Sequence, residues 1–163
     1  YWSYYNNNEY FWPKVCASSV VYNLFIMTQI QYQTDTKEKF TVITILNSNL
    51  NSNLVPELAE LTTKWGNTAP KNLILNLKNV QDWDEAVIEH IAMAQGNYYE
   101  HNTSFVICAL SDKLSDILDK TEYAELLNMT PTESEAWDIV QMEEIERELL
   151  DSDDMEFSLP EEE

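Results

Sequence analysis

Asp82, Asp84, Glu85, Glu89 and His90 put four carboxylates and an imidazole within nine residues of chain. Paired carboxylates can work as general acid and general base, and a histidine with a second His or Cys at i+3 or i+4 could hold a metal ion. The only histidines, His90 and His101, lie eleven residues apart and have no cysteine at that spacing, which argues against a metal site. The pairs Asp82/Asp84 and Asp112/Asp116 are explained as well by helix capping and solvated surface as by catalysis. Ser111 precedes Asp112 after an apolar strand, but no glycine flanks it, so a nucleophile elbow is not supported. With only Gly66 and Gly96, the chain cannot write a Gly-rich phosphate loop, which excludes enzymes of the P-loop and dinucleotide types. Cys16 and Cys108 make neither a disulfide framework nor a metal cluster, and Cys108, inside FVICAL, reads as a buried reduced thiol. The expectation is a protein that is not an enzyme and has no cofactor and no metal.

The same carboxylates read better as the edge of a binding surface. The stretch NLILNLKNVQDWDEAVIEHI predicts a buried strand over 73–77, a short loop, and a helix opening at Asp84 with Val87, Ile88, Ile91 and Ala92 facing inward. A helix N-terminus leaves orphan backbone N–H groups and the positive end of the dipole toward solvent.

The elements that position this stretch follow in order. Residues 29–33 alternate around Ile30 and Tyr32 as a half-buried strand, Lys37, Glu38 and Lys39 make a turn, and FTVITIL over 40–46 is a second strand rich in β-branched residues. The tandem NSNL-NSNL over 47–54 is loop chemistry ending in a helix cap. Leu54, Leu58, Leu61 and Trp65 form the stripe of an amphipathic helix that stops near Gly66. After the central helix, which runs to about Glu100, a buried strand spans 104–110. Ser111 caps a helix carrying Leu114, Ile117 and Leu118, which is expected to break and resume through Tyr123, Leu126 and Leu127. A short extended piece at 128–130 leads to a capping box, Thr132 and Glu135, for a last helix with Ala136, Ile139 and Val140 inward. Strand spacings of roughly 17 to 27 residues from Phe40 onward suit parallel crossovers. The fold class is therefore α/β, a mixed and mostly parallel sheet with an antiparallel N-terminal strand and about four helices.

The 163 residues suit one domain with a real core, and the net charge is −20. From Thr132 onward fourteen acids face one base, Arg147, a balance that repels nucleic acid and anionic membrane surfaces. Residues 1–26 hold five of nine tyrosines, two of five tryptophans and Asn6, Asn7 and Asn8, so they are expected to be a non-native or disordered leader with Met27 as the natural start. The apolar-leaning run at 15–27 is too short and too polar for membrane insertion and lacks a cleavage pattern for export. Residues 151–163 are expected to be a disordered acidic tail.

Over residues 28–150 this order, with LILNLKNVQDWDEAVIEHIAMAQ, resembles a STAS domain, the fold shared by bacterial anti-sigma factor antagonists and the cytoplasmic ends of sulphate transporters. The family signature is a strand of type "vilDLsgV", an apolar residue, and Asp-Ser-Ser/Thr-Gly-Leu opening a helix. Leu75, Asn76, Leu77, Lys78, Asn79 and Val80 fit the strand, Trp83 is the apolar residue, and Asp84, Glu85, Ala86, Val87 and Ile88 take the place of the helix-opening run. Leu50-Asn51 is similar to the family's Leu-Asp turn, and Thr132, Glu135, Ala136 and Trp137 to its closing element.

In antagonists of this type the serine after the capping Asp is phosphorylated by a partner anti-sigma kinase, which breaks the complex. Here the positions are Glu85 and Ala86, the glycine is Val87, and two customary acids are Asn51 and Asn76. The resemblance implies a cytoplasmic bacterial regulator that acts on a protein partner and is not switched by phosphorylation at position 85. Glu85 either imitates the phosphate, with a charge of about −1 against about −1.5 to −2, or simply interacts with the helix dipole by about 0.3 to 1 kcal/mol. The implied partner surface is Asn49, Asn51, Ser52, Lys78, Asn79, Gln81, Asp82, Trp83, Asp84, Glu85, Ala86 and Glu89, with Asp84 capping the helix. Trp83 is read as core, packing inward, or else as a projecting hot spot. An alternative within the family is a constitutive subunit of a signalling scaffold or an ABC-type lipid transport assembly.

Overall fold

The computed structural model describes residues 29–153. The expectations for the leader at 1–26, for Met27 as the start and for 154–163 of the acidic tail lie outside the described residues.

β1 (Tyr32–Thr36) pairs antiparallel with β2 (Phe40–Ile45), Tyr32 opposite Ile45 and Thr36 opposite Thr41. The turn between them closes with Lys37 N–H donating to Phe40 O at 2.8 Å. β3 (Asn49–Leu50) and a single 3-10 turn (Ser52–Leu54) lead into α1 (Val55–Gly66), with proline in its first turn. β4 (Asn72–Asn76), β5 (Asp82–Trp83), α2 (Glu85–Glu100), β6 (Phe105–Cys108), α3 (Asp112–Leu118), β7 (Met129–Thr130) and α4 (Glu133–Asp153) complete the order. The main sheet runs β1-β2-β4-β6-β7, parallel after the first pair, and β3 with β5 forms a separate two-stranded parallel sheet.

Period-2 alternation in the central strands divides their side chains between two layers. Ile43, Ile45, Leu73, Leu75, Phe105 and Ile107 face the larger core, where Leu58 and Leu61 of α1, Val87, Ile88 and Ile91 of α2, and Leu114 and Leu118 of α3 pack. Phe40, Val42, Ile74, Val106 and Cys108 face the other way, onto Ala136 and Val140 of α4. Both faces are covered, as a parallel sheet requires.

β4 and β6 sit within one or two residues of the expected 73–77 and 104–110, and three differences are structural. The first strand lies at Tyr32–Thr36, three residues beyond the expected 29–33, and every residue of it is exposed. It is an edge strand with no buried side to impose alternation. The apolar signal at Ile30 belongs instead to a residue packed against the larger core, its N–H held by the Glu57 carboxylate at 2.7 Å. The helix after Ser111 ends at Leu118 and does not resume. Residues 119–127 form turns in which Thr121 and Leu126 N–H donate three residues back, while Leu127 alone of the expected stripe is buried. α4 runs on to Asp153, three residues into the segment expected to be disordered.

Candidate functional site

The repeat at 47–54 and the loop after β4 meet at the start of α2. Asn49 pairs with Asp82 and Leu50 with Trp83. Gln81 N–H donates to Ser48 O at 2.8 Å, and Asp84 N–H to Leu50 O at 2.9 Å. Two residues per strand are too few for alternation to be visible, so the sequence shows these segments only as neighbouring loops.

Asp84 holds the N-cap position of α2, and its carbonyl accepts from Val87 N–H at 3.0 Å and Ile88 N–H at 3.3 Å. Its carboxylate does not cap the helix, contrary to the expectation. Oδ2 accepts instead from Ser52 N–H at 2.8 Å, latching the Asn51–Ser52 backbone to the helix start. The first-turn N–H groups therefore keep their positive end toward solvent. Asn51 Oδ1 caps the 3-10 turn through Asn53 N–H at 3.0 Å.

Glu85, Ala86 and Glu89 are exposed on the first turns of α2, and Asn49, Ser52, Lys78 and Gln81 are exposed on the two segments that meet there. Met93, 62 % exposed, continues the Glu85–Glu89 face at the same four-residue spacing and was not singled out in the sequence. Asp82 is half-buried and ion-paired to Lys113 Nζ at 3.0 Å. Lys113, on α3, is a second site residue that local pattern could not supply. Asn79 Nδ2 donates to Ile45 O at 2.9 Å, pinning the loop to the end of β2. Trp83 is only 3 % exposed and belongs to the larger core, so the inward reading holds and its place among the surface residues is corrected: it supports the surface from beneath.

The two asparagines standing where acids are customary have different partners. Asn76 is 2 % exposed, accepts from Lys78 N–H at 3.0 Å and donates to Glu133 Oε2 at 2.6 Å. An ionised Asp could not make that donation.

The histidines lie away from this surface. His90 is half-buried against Thr62, with Nε2 at 3.5 Å from Oγ1, and His101 follows the end of α2 with Nδ1 at 2.6 Å from Asn97 O. Both line a half-open groove of about 280 Å³ between α1 and α2. Burial lowers the His90 pKa below its ordinary 6.5, so the ring is neutral at pH 7. Cys108 is buried in the smaller core, and burial first, with the Glu133 charge second, pushes its pKa up to about 12. It is a packed thiol and not a nucleophile. Among the described residues no group of His, Cys, Asp and Glu could hold a metal ion, and no helix is long and apolar enough to cross a membrane.

Residues 31–136 match the family model for the STAS domain. No curated protein matches the chain. An anti-sigma-factor antagonist (STAS) domain protein from Planctomyces limnophilus superposes with a TM-score of 0.56 at 20 % identity, over 68 % of this chain and 95 % of the other. An anti-sigma factor antagonist from Mycobacterium paratuberculosis gives 0.59 at 16 %, over 69 % and 94 %. The murine Solute Carrier 26 family member A9 anion transporter gives 0.62 at 13 %, over 76 % of this chain and 24 % of the transporter. At these identities the superpositions show a shared fold.

Proposed function

This chain belongs to the STAS domain family, and we propose that it is a non-enzymatic, cytoplasmic regulator that acts by binding a protein partner, in the manner of a bacterial anti-sigma factor antagonist. The contact surface is the first turns of α2 with the Asn49–Ser52 segment beside them. One observation carries this reading: the helix start is exposed and held in place by the Asp84 to Ser52 latch, yet neither Glu85 nor Ala86 bears a hydroxyl. A fixed carboxylate stands where a reversible phosphate would otherwise be placed, so the partner meets the same charge at all times. Lys78, Asn79, Gln81, Asp82, Asp84 and Glu89 frame the surface, and Trp83 keeps it rigid from below.

Affinity capture with the native chain, repeated with Asp84→Lys and Glu85→Lys, tests it. The captured partner is expected to be lost with either variant, and undiminished capture moves the interface elsewhere. Glu85→Ser with a cognate serine kinase separates the two roles of Glu85: if Ser and Glu at this position bind the partner alike, the charge does not imitate a phosphate.

A constitutive STAS subunit of a signalling scaffold or transport assembly is the second reading. It is favoured by the same missing hydroxyl, since such a subunit needs no switch, and by the fold likeness to the transporter. Capture of membrane transport components in place of a kinase or sigma factor decides for it.

A further inference from the structure

We propose that the outer face of α4 is a second docking surface, fitted to a basic amphipathic helix of a protein partner. α4 is apolar on two sides. Ala136 and Val140 are fully buried against the sheet, while Met142, Ile145 and Leu149, spaced i, i+3 and i+7 on the opposite side, are 62, 51 and 61 % exposed. Three large apolar side chains in line on a solvent face are the pattern by which one helix engages another. The face is also held still, because on the inward side Arg147 donates to Ser104 Oγ at 2.9 Å and Glu144 Oε2 accepts from Asn72 Nδ2 at 3.0 Å.

Charge selects the occupant. α4 carries nine acids against Arg147 alone, and Asp138 and Glu146 are exposed beside the stripe with no ion pair among the described residues. A second copy would set two acidic helices side by side, and residues 154–163 add five further acids. Residues 1–28 carry one Lys and one Glu and supply no complementary charge. A helix with apolar residues on one side and Lys or Arg flanking them meets both the stripe and the acids. α4 covers the face of the sheet opposite α1 and α2, so this surface is separate from the start of α2.

The test titrates the full chain, at about 0.15 M salt, with a helical Leu/Lys peptide that has its leucines on one face, and with an isomer of the same composition whose leucines are scattered. The one-faced peptide is expected to bind, and the scattered isomer to bind about tenfold or more weakly. M142S/I145S is expected to weaken the one-faced peptide by about the same factor, with an unchanged circular dichroism melt. Glu85→Gln is expected to leave binding as it was. Equal binding of both peptides would reduce the effect to bulk charge and overturn the proposal. So would undiminished binding to M142S/I145S, or a concentration-dependent dimer that M142S/I145S dissolves, which would make the occupant a second copy.

Discussion

At the amino end of the parallel strands, Glu143 and Glu144 of α4 reach side chains that answer them, whereas at the carboxyl end Glu85 and Glu89 are exposed and, among the described residues, have no ion pair. Asn72 Nδ2 donates to Glu144 Oε2 at 3.0 Å and to Lys39 O at 2.8 Å, its Oδ1 accepts from Ser104 N–H at 2.9 Å, and Ser104 Oγ donates to Glu143. Arg147 closes the group. The carboxyl end is joined by main-chain bonds, Gln81 to Ser48 and Asp84 to Leu50, and by separate side-chain links from Asn76, Asn79, Asp82 and Asp84, none of which reaches Glu85 or Glu89. Acids whose bonds are satisfied within the molecule contribute to its stability, and acids held in place but unanswered are available to something else.

Asn72→Ala is expected to have the largest effect, because Asn72 is 6 % exposed and joins β4 to the β2 start, to Ser104 and to α4. The loss leaves a buried N–H and a carboxylate short of partners, about 2–4 kcal/mol by urea unfolding, with capture through the α2 surface unchanged in the folded protein. A cost below about 1 kcal/mol would show that the amino end is not held in this way. Asn76→Asp comes next and moves the problem to the carboxyl end. A buried carboxylate would face Glu133 where an amide now donates at 2.6 Å, destabilising the protein by about 1–3 kcal/mol near neutral pH. Glu133→Gln in the same chain should recover much of it, and failure to do so would assign the cost to something other than the carboxylate pair.

The difference between the two ends also explains what could be read in advance. Strands β2, β4 and β6 and the inward faces of α1 and α2 were legible because burial imposes a period on Ile43, Ile45, Leu73, Leu75, Val87, Ile88 and Ile91. The start of α2 was legible because local order places Asp84, Glu85 and Ala86 in its first turns. β1 was misplaced because an exposed edge strand carries no such period. The latch from Asp84 to Ser52, the Lys113 partner of Asp82 and the Arg147 group join residues 32, 31 and 43 to 75 positions apart. Nothing in a local window distinguishes such residues from solvated ones.

Acid titration sharpens the comparison with a smaller effect. The Asn72 amide first, then the Arg147 guanidinium, hold the Glu144 carboxyl below its ordinary 4.5. A lowered folded pKa means that the unfolded chain binds the proton more readily. Glu144 therefore contributes stability that is fully present above about pH 4.5 and is lost as pH falls through the lowered value. His90, lowered from 6.5 by burial, acts with the same sign: its contribution is full above pH 6.5 and declines below it. Unfolding midpoints measured from pH 7 to pH 3 should fall in the native chain. Glu144→Gln should flatten the limb below pH 4.5, and His90→Gln the limb just below pH 6.5. Unchanged limbs would mean that these groups meet no folded environment different from water.

Glu85→Gln should change stability least. Glu85 is exposed in the first turn of α2 and, among the described residues, has no ion pair. What remains is its interaction with the positive end of the helix, about 0.3–1 kcal/mol at low ionic strength and screened by salt. The urea midpoint of Glu85→Gln should therefore sit slightly below that of the native chain in dilute buffer and merge with it near 1 M salt, where the Debye length is about 3 Å. A larger loss that survives high salt would mean that Glu85 is tied into the molecule as Glu144 is. The carboxyl end would then be a second structural clamp, and the charge at position 85 would no longer be free for a partner to read.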